Sequence, residues 1–364
     1  MIPFLSLAAA TDELKGEIDA AIQRVVRSGQ YIGGSECAAF EESFAGYVQA
    51  SHAVGTGNGL DALHLALRAL DVGPGDEVIV AANTFIATLL GVHMTGARPV
   101  IVEPDPATHN IDVDRIEEAI TPSTKAILPT HLYGQPADLD QLGAIAAKHG
   151  LLLVEDAAQA HGASYKGRRI GAHSDAVCWS FYPGKNLGAL GDAGAVTTNR
   201  KDVADKIRKL GNYGSSVRYV NDLRGVNSRL DPLQAAILRA KLPFLDEWNE
   251  RRSDTARIYL EGLRDLDLVL PTVPSWAAPS WHLFVILSER RDELQARLSA
   301  SGIETLIHYP IPPHRQNALD DLDLQGRSFP IAERLADQCL SLPIGPHLSR
   351  EQAKQVVEAL NKLA

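Results

Sequence analysis

Two residues set the chemistry this chain can attempt. Lys185 lies in the run Ser180-Phe181-Tyr182-Pro183-Gly184-Lys185-Asn186-Leu187-Gly188, and Asp156 closes the apolar run Leu151-Leu152-Leu153-Val154-Glu155-Asp156. The lysine follows a tight Pro-Gly turn after a strand-like segment, and the acid ends another such segment. An amine so placed can form a Schiff base, and a carboxylate so placed can keep a pyridine nitrogen protonated. These are the two protein groups that pyridoxal phosphate chemistry needs most. By type alone the lysine reads as a solvated surface residue, and the aspartate as a helix cap or a structural ion pair. An acid at the buried end of an apolar strand is costly, however, and a cationic partner such as a pyridinium offsets that cost.

The neighbours fit the same chemistry. Ser180 ends the strand before Lys185, and its hydroxyl can donate to a phosphate. Gln159, just past Asp156, can reach a phenolic oxygen on the cofactor ring. Phe85 follows Asn83-Thr84 at a strand-to-helix junction, where it either stacks on a pyridine or belongs to the core. His161 reads equally as a structural histidine or a second contact on the ring face. The run Gly55-Thr56-Gly57-Asn58-Gly59-Leu60 follows a short strand and opens a helix, a setting that favours a phosphate. A dinucleotide site competes for this loop, but Leu60 stands where GxGxxG needs its last glycine and no acid ends the next strand. The loop His308-Tyr309-Pro310-Ile311-Pro312-Pro313-His314 offers polar rings on a proline-fixed backbone, a candidate substrate contact. No HExxH spacing accompanies it, and no GxSxG elbow occurs in the chain.

Positioning these residues takes an α/β framework. Apolar runs at Glu77 to Ala81, Pro99 to Glu103, Lys125 to Thr130, Leu151 to Asp156, Ala176 to Phe181 and Ala195 to Thr198, with His52 to Val54, make seven strands. Runs that are apolar throughout, rather than alternating, suit a mostly parallel sheet covered on both faces. Helices are expected at Thr11 to Ser28, Asn58 to Leu70, Thr84 to Met94, Asp112 to Ile120 and Asp138 to Lys148. A long helical stretch from Asp231 to Leu263 should break near Pro243. The remainder, with strands at Trp281 to Leu287, Glu304 to His308 and Cys339 to Ile344 and helices at Glu289 to Ala300 and Arg350 to Leu363, reads as a smaller α+β unit. We therefore expect a large domain over 1–240, whose N-terminal helix can pack on a small domain over 241–364.

Composition narrows the partners. A formal net charge of −10 repels nucleic acid and anionic membranes, and the basic clusters Lys166 to Arg169 and Arg290-Arg291 are short. The 3 cysteines, Cys37, Cys178 and Cys339, form no CxxC and suggest neither a disulfide framework nor a metal site. No apolar stretch approaches the roughly 20 residues of a membrane helix. A cytoplasmic protein without metal, membrane or nucleic acid is the expectation.

Together these motifs resemble the fold-type I pyridoxal phosphate enzymes, and specifically the DegT/DnrJ/EryC1/StrS family of nucleotide-sugar aminotransferases. The likeness covers nearly the whole chain: Ile2-Pro3-Phe4-Leu5, Gly29-Gln30-Tyr31-Ile32-Gly33-Gly34, Val154 to Gly162, Ser180 to Gly194, and Asn227 to Ala236. The resemblance implies that Lys185 carries the cofactor as a Schiff base, Asp156 meets the pyridine nitrogen, Gln159 the ring hydroxyl, and Phe85 the ring face. It further implies a phosphate held by the Gly57-Asn58 backbone and Ser180, with Asn227 supplied by the partner subunit of a homodimer. L-Glutamate is the implied amino donor and a nucleotide-linked keto-6-deoxyhexose the acceptor. The run Gly191-Asp192-Ala193-Gly194 is closer to members acting on dTDP-linked 3-keto sugars than to the Gly-Glu-Gly-Gly of many C4 aminating members. Tyr182, Arg229, His308, Tyr309 and His314 are then candidates for sugar, pyrophosphate or donor-carboxylate contacts. Two alternatives remain: amination at C4 of a UDP-, GDP- or dTDP-4-keto sugar, and a non-catalytic regulator that binds the cofactor. Some relatives dehydrate sugars, and in one group of them a histidine replaces the lysine; this chain keeps Lys185.

Overall fold

The computed structural model describes residues 1–322 and 326–363. Its centre is a seven-stranded sheet built from β1 (His52–Thr56), β2 (Glu77–Ala81), β3 (Arg98–Val102), β4 (Thr124–Ile127), β5 (Leu152–Asp156), β6 (Ala176–Ser180) and β7 (Gly194–Thr198), in the order β1-β7-β6-β5-β4-β2-β3. Only β7 runs against its neighbours. β1 therefore points the same way as β5 and β6, and all three end at one edge of the sheet.

The continuous apolar runs have the expected cause. Successive strand residues face opposite sides, so Ile79, Ile127, Leu153 and Val177 enter one core while Val78, Val80, Ala126 and Val154 enter a second. Both faces are thus dry, and the polar ends of β5 and β6 are left as the places where chemistry can sit. A third core gathers Tyr259, Phe284, Ile286, Leu340, Leu342 and Val356 around an antiparallel pair, Phe284–Leu287 with Cys339–Leu342. Ile2 joins this core and bridges Ile303, so the chain's first residues lie on its C-terminal part.

Three expectations need correction or refinement. The helix read over Thr11 to Ser28 is two helices, Leu7–Glu13 and Lys15–Ser28, because buried Leu14 takes a non-helical φ of −112° and ψ of 27°. The expected strand Glu304 to His308 is reduced to one bridge, Leu306 with Ser341; beyond it the His308 carbonyl accepts from Tyr133 and the backbone leaves the sheet. The long helix does break at Pro243: Pro232–Lys241 and Leu245–Gly262 flank the turn Leu242–Phe244. Among the described residues, no helix is long and apolar enough to cross a membrane, and no group of three or more His, Cys, Asp or Glu is placed to hold a metal.

Candidate active site

Asp156 is the last residue of central strand β5 and is 5% exposed. Its Oδ2 accepts from the Thr88 hydroxyl at 2.8 Å and its Oδ1 from the Ala158 N–H at 3.1 Å. Thr88 belongs to the helix Ile86–His93 that follows β2, and a chain of hydroxyls links Thr88 to Thr84 and Thr84 to Thr130. Burial raises the Asp156 pKa above its ordinary 3.8, while Thr88, Ala158 and the charges of Lys185 and His131 pull the other way. The carboxylate thus has neutral donors and a marked preference for one more cation.

Lys185 hangs from a closed loop. Its N–H donates to the Tyr182 carbonyl at 2.8 Å, and the Ala189 N–H donates to Phe181 at 2.8 Å, pinching the loop shut at its base. Among the described residues the ammonium has no hydrogen-bond partner. Burial brings its pKa down from 10.5 to about 8, opposed by the Asp156 charge. An amine held near neutrality is what both Schiff-base formation and proton transfer require.

Three imidazoles near this lysine are all kept neutral. His161 is fully buried between Trp179 and Phe181, at ring separations of 5.3 and 5.6 Å, and burial lowers its pKa to about 3. Neither of its nitrogens has a well-formed hydrogen bond, the nearest interaction being with the Ser180 backbone. His308 meets the Ser341 hydroxyl at 2.8 Å, and burial with the Lys185 charge lowers it to about 4. His282 is pushed well below its usual range by burial and then by Lys185. Asn186 fixes the His282 tautomer. The Asn186 amide donates to Asn249 and to the Ser280 carbonyl, so its oxygen must accept, and His282 carries its proton on Nδ1.

At the end of β1, the helix Gly59–Ala69 starts directly against Ser180: a Cβ on Gly59 would lie 2.6 Å from the Ser180 Cβ. Asn58 caps this helix by accepting the Asp61 N–H at 2.8 Å. Among the described residues no acceptor takes the N–H groups of Asn58, Gly59 or Leu60, which leaves a phosphate-sized set of free donors beside the Ser180 hydroxyl. The Gly57 N–H differs from expectation, because it already donates to Ser228 Oγ at 2.9 Å. The free donors, the serine, the buried acid and the uncommitted lysine fit a phosphorylated pyridine: the helix start and Ser180 would hold the anion, and Asp156 and Lys185 would serve the ring.

The remaining expected residues divide into two groups. Gln159 is buried; its Oε1 accepts the Tyr133 N–H at 2.6 Å and its Nε2 donates to Tyr309 Oη at 3.0 Å. Tyr309 in turn lies 5.1 Å from the Phe85 ring, which is half-exposed at the helix start. Gln159, Tyr309, Phe85 and His308 are therefore joined to one another, and Tyr182 stands exposed beside the lysine loop. Arg229 and Asn227 are not joined to them within the chain. They form their own cluster, with Arg229 donating to Asn227 at 2.7 Å and to Asn212 at 3.1 Å. His314 is placed apart from them: its ring is buried, 4.8 Å from the Phe329 ring, and its Nε2 lies 3.0 Å from Glu333. Thr88, Tyr133, Asn186 and His282 were missed in the sequence; only the Thr84-to-Thr88 spacing, one helical turn at the start of a helix, hinted at a shared task.

Comparison with known proteins agrees with this geometry. The DegT/DnrJ/EryC1/StrS aminotransferase family profile matches residues 12–361. The chain is 56% identical over 99% of its length to the erythromycin biosynthesis sensory transduction protein EryC1 of Saccharopolyspora erythraea, covering 98% of that protein. It is 53% identical over its whole length to a dTDP-3-amino-3,4,6-trideoxy-alpha-D-glucose transaminase of Streptomyces venezuelae, covering 96% of it. The fold superposes on the crystal structure of S. venezuelae DesV with a TM-score of 0.98, at 53% identity, over 100% of this chain and 98% of that one. The chain belongs to the DegT/DnrJ/EryC1/StrS aminotransferase family, and it is a pyridoxal phosphate-dependent α/β enzyme of that fold.

Proposed function

We propose that this enzyme moves an amino group from L-glutamate to C3 of a dTDP-linked 3-keto-6-deoxyhexose. The observation that carries the reading is the nearness of Lys185, its pKa lowered to about 8, to Asp156, a buried acid whose charge it feels but which makes no ion pair among the described residues. The position of the amine is supported by the full-length likeness to a dTDP-3-amino sugar transaminase and by the Gly191-Asp192-Ala193-Gly194 run. When bound, the cofactor supplies an electron sink and a temporary carrier for the amine.

Lys185 would hold the cofactor through its amine, and with its pKa lowered to about 8 the same amine would serve as the base that takes the donor's α-proton. Asp156 holds a proton on the ring nitrogen, which Thr88 supports by keeping the carboxylate oriented. The Asn58, Gly59 and Leu60 N–H groups and Ser180 bind the phosphate. Phe85 covers one ring face. Gln159 meets the ring hydroxyl, and Tyr133 holds its amide in the orientation that points the N–H outward. Tyr182, His308 and Tyr309 contact the sugar from the same side. Asn227 and Arg229, which bond to each other and are anchored by Ser228 beside Gly57, reach the phosphate and the substrate of a second subunit. The working form is then a cytoplasmic homodimer, with a cofactor domain over 1–240 and a smaller domain over 241–364.

The intact lysine and acid favour turnover over a purely regulatory role. The test is an absorbance spectrum of the purified protein with pyridoxal phosphate, before and after L-glutamate, followed by addition of a dTDP-3-keto-6-deoxyhexose. Glutamate should replace the Schiff-base band with the pyridoxamine band, and the keto sugar should restore it. A band that persists with every amino donor would refute the enzyme reading, and restoration only by a 4-keto sugar would move the amine to C4.

A further inference from the structure

Lys241 is 5% exposed, and its Nζ donates to the Gly188 carbonyl at 2.7 Å. Among the described residues no carboxylate pairs with it. Burial alone lowers its pKa, to about 8. Desolvating an ammonium costs several kcal/mol, and one carbonyl does not repay it, so an apolar side chain here would be the cheaper way to fill the space. Lys241 is the last residue of the helix Pro232–Lys241, whose end favours a cation only modestly because the turn Leu242–Phe244 continues from it. The cation therefore sits at this point at a net cost, and what it touches is the loop that carries Lys185.

A second side chain of the same helix grips the same loop. Gln234 lies two turns before Lys241 and so on the same face. Its Oε1 accepts the Leu190 N–H at 2.9 Å. The two side chains thus hold a carbonyl at 188 and an N–H at 190, just past the loop's narrow base. That base has no slack: a Cβ on Gly188 would lie 2.3 Å from the Pro183 carbonyl oxygen.

We infer that Lys241 is a positioning residue for Lys185, which with Gln234 clamps the exit of the lysine loop onto the helix Pro232–Lys241 and so fixes where the amine stands. The inference rests on the reading of Lys185 as the Schiff-base lysine. An amine displaced by about 1 Å costs on the order of a hundredfold in rate while leaving substrate binding largely intact. The clamp therefore acts on kcat and on the rate of Schiff-base formation, and not on KM.

The test compares Lys241→Met, Lys241→Arg and Gln234→Ala with the unmodified enzyme. Borohydride reduction with peptide mapping comes first: cofactor fixed on Lys185 upholds the underlying reading whatever the variants do, and cofactor fixed elsewhere ends both. Lys241→Met should keep or raise the melting temperature, slow the appearance of the Schiff-base band, and lower kcat ten- to a hundredfold with KM for both substrates within twofold. Lys241→Arg, which restores a donor, should recover most of the kcat. Gln234→Ala should give the same pattern at three- to tenfold. Lys241→Met with kcat and band formation within twofold of the unmodified enzyme would overturn the inference. Should that variant fail to fold, an unchanged kcat in Gln234→Ala overturns it equally.

Discussion

The Thr88 hydroxyl donates a hydrogen bond to Asp156 Oδ2 at 2.8 Å, tying the helix after β2 to the end of β5. Thr88 also meets Thr84, which meets Thr130, so a chain of hydroxyls from the segments following β2 and β4 ends on one carboxylate oxygen through Thr88. The arrangement spends neutral donors on the acid and leaves its charge uncommitted. A carboxylate satisfied by an arginine would hold its geometry equally well and have little left for a pyridinium.

Replacing Thr88 by valine keeps the shape and removes the donor. An unsatisfied buried acceptor costs about 1–3 kcal/mol. Turnover should fall about tenfold, the Asp156 pKa should rise further, and the apoprotein should melt lower; steady-state kinetics and calorimetry check these outcomes.

Asp156→Asn separates chemistry from stability. An amide cannot keep the ring nitrogen protonated, so proton transfer should slow on the order of 10²–10⁴-fold. In the apoprotein the effect on stability runs the other way. Burial raises the folded pKa of Asp156, so the unfolded chain ionises first and wild-type stability falls as pH climbs from the unfolded to the folded value. The variant lacks that loss, and at pH 7 its apoprotein should melt no lower than the wild type.

Lys185→Ala should remove the Schiff-base band and cut turnover by a factor on the order of a thousand or more. The melting temperature of the apoprotein should hold, since the ammonium makes no hydrogen bond. For the wild-type pyridoxamine form, turnover should rise with pH around a midpoint near 8. Asp156→Asn should move that midpoint down, because the aspartate charge is what opposes the depression. The linked stability has the matching sign: the folded pKa lies below the ordinary 10.5, so the apoprotein gains stability as pH rises from about 8 toward that value.

Shared sites are tested by mixing subunits. Lys185→Ala and Asn227→Ala chains, each impaired alone, should form hybrid dimers with one intact site. Random mixing then restores about one quarter of wild-type activity. Equal mixtures that show no recovery would place Asn227 in its own subunit's site.

The fold was legible because its signals are local. The strand runs are dominated by apolar residues on both faces, as at Val78 to Ala81, which is how a strand covered on both sides reads. Lys185 and Asp156 were legible for the opposite reason, being charged groups at the ends of such runs. The residues that escaped, Thr88, Asn186, His282 and Lys241, are each ordinary in their local sequence. Their roles come from contacts at a distance: His282 with Asn186, 96 positions earlier, and Lys241 with Gly188, 53 positions earlier. His314 shows the converse, a polar ring in an inviting proline loop that folding turns inward onto Glu333. The Thr11 to Ser28 helix was overread because Leu14 is apolar at a position where periodicity alone cannot register a kink.

The site is drawn from the phosphate loop at Gly57 to Gly59, the β2 junction at Phe85 and Thr88, the β5 and β6 ends at Asp156 and Ser180, and finally His308 and Tyr309. During synthesis these pieces leave the ribosome in that order, and Gln159 waits for Tyr309 across 150 positions of chain. Contacts of such separation form late and slowly. A nascent chain that has released Lys185 but not Tyr309 lacks one wall of its binding site, so the vitamin-derived group meets a complete pocket only on an essentially finished polypeptide.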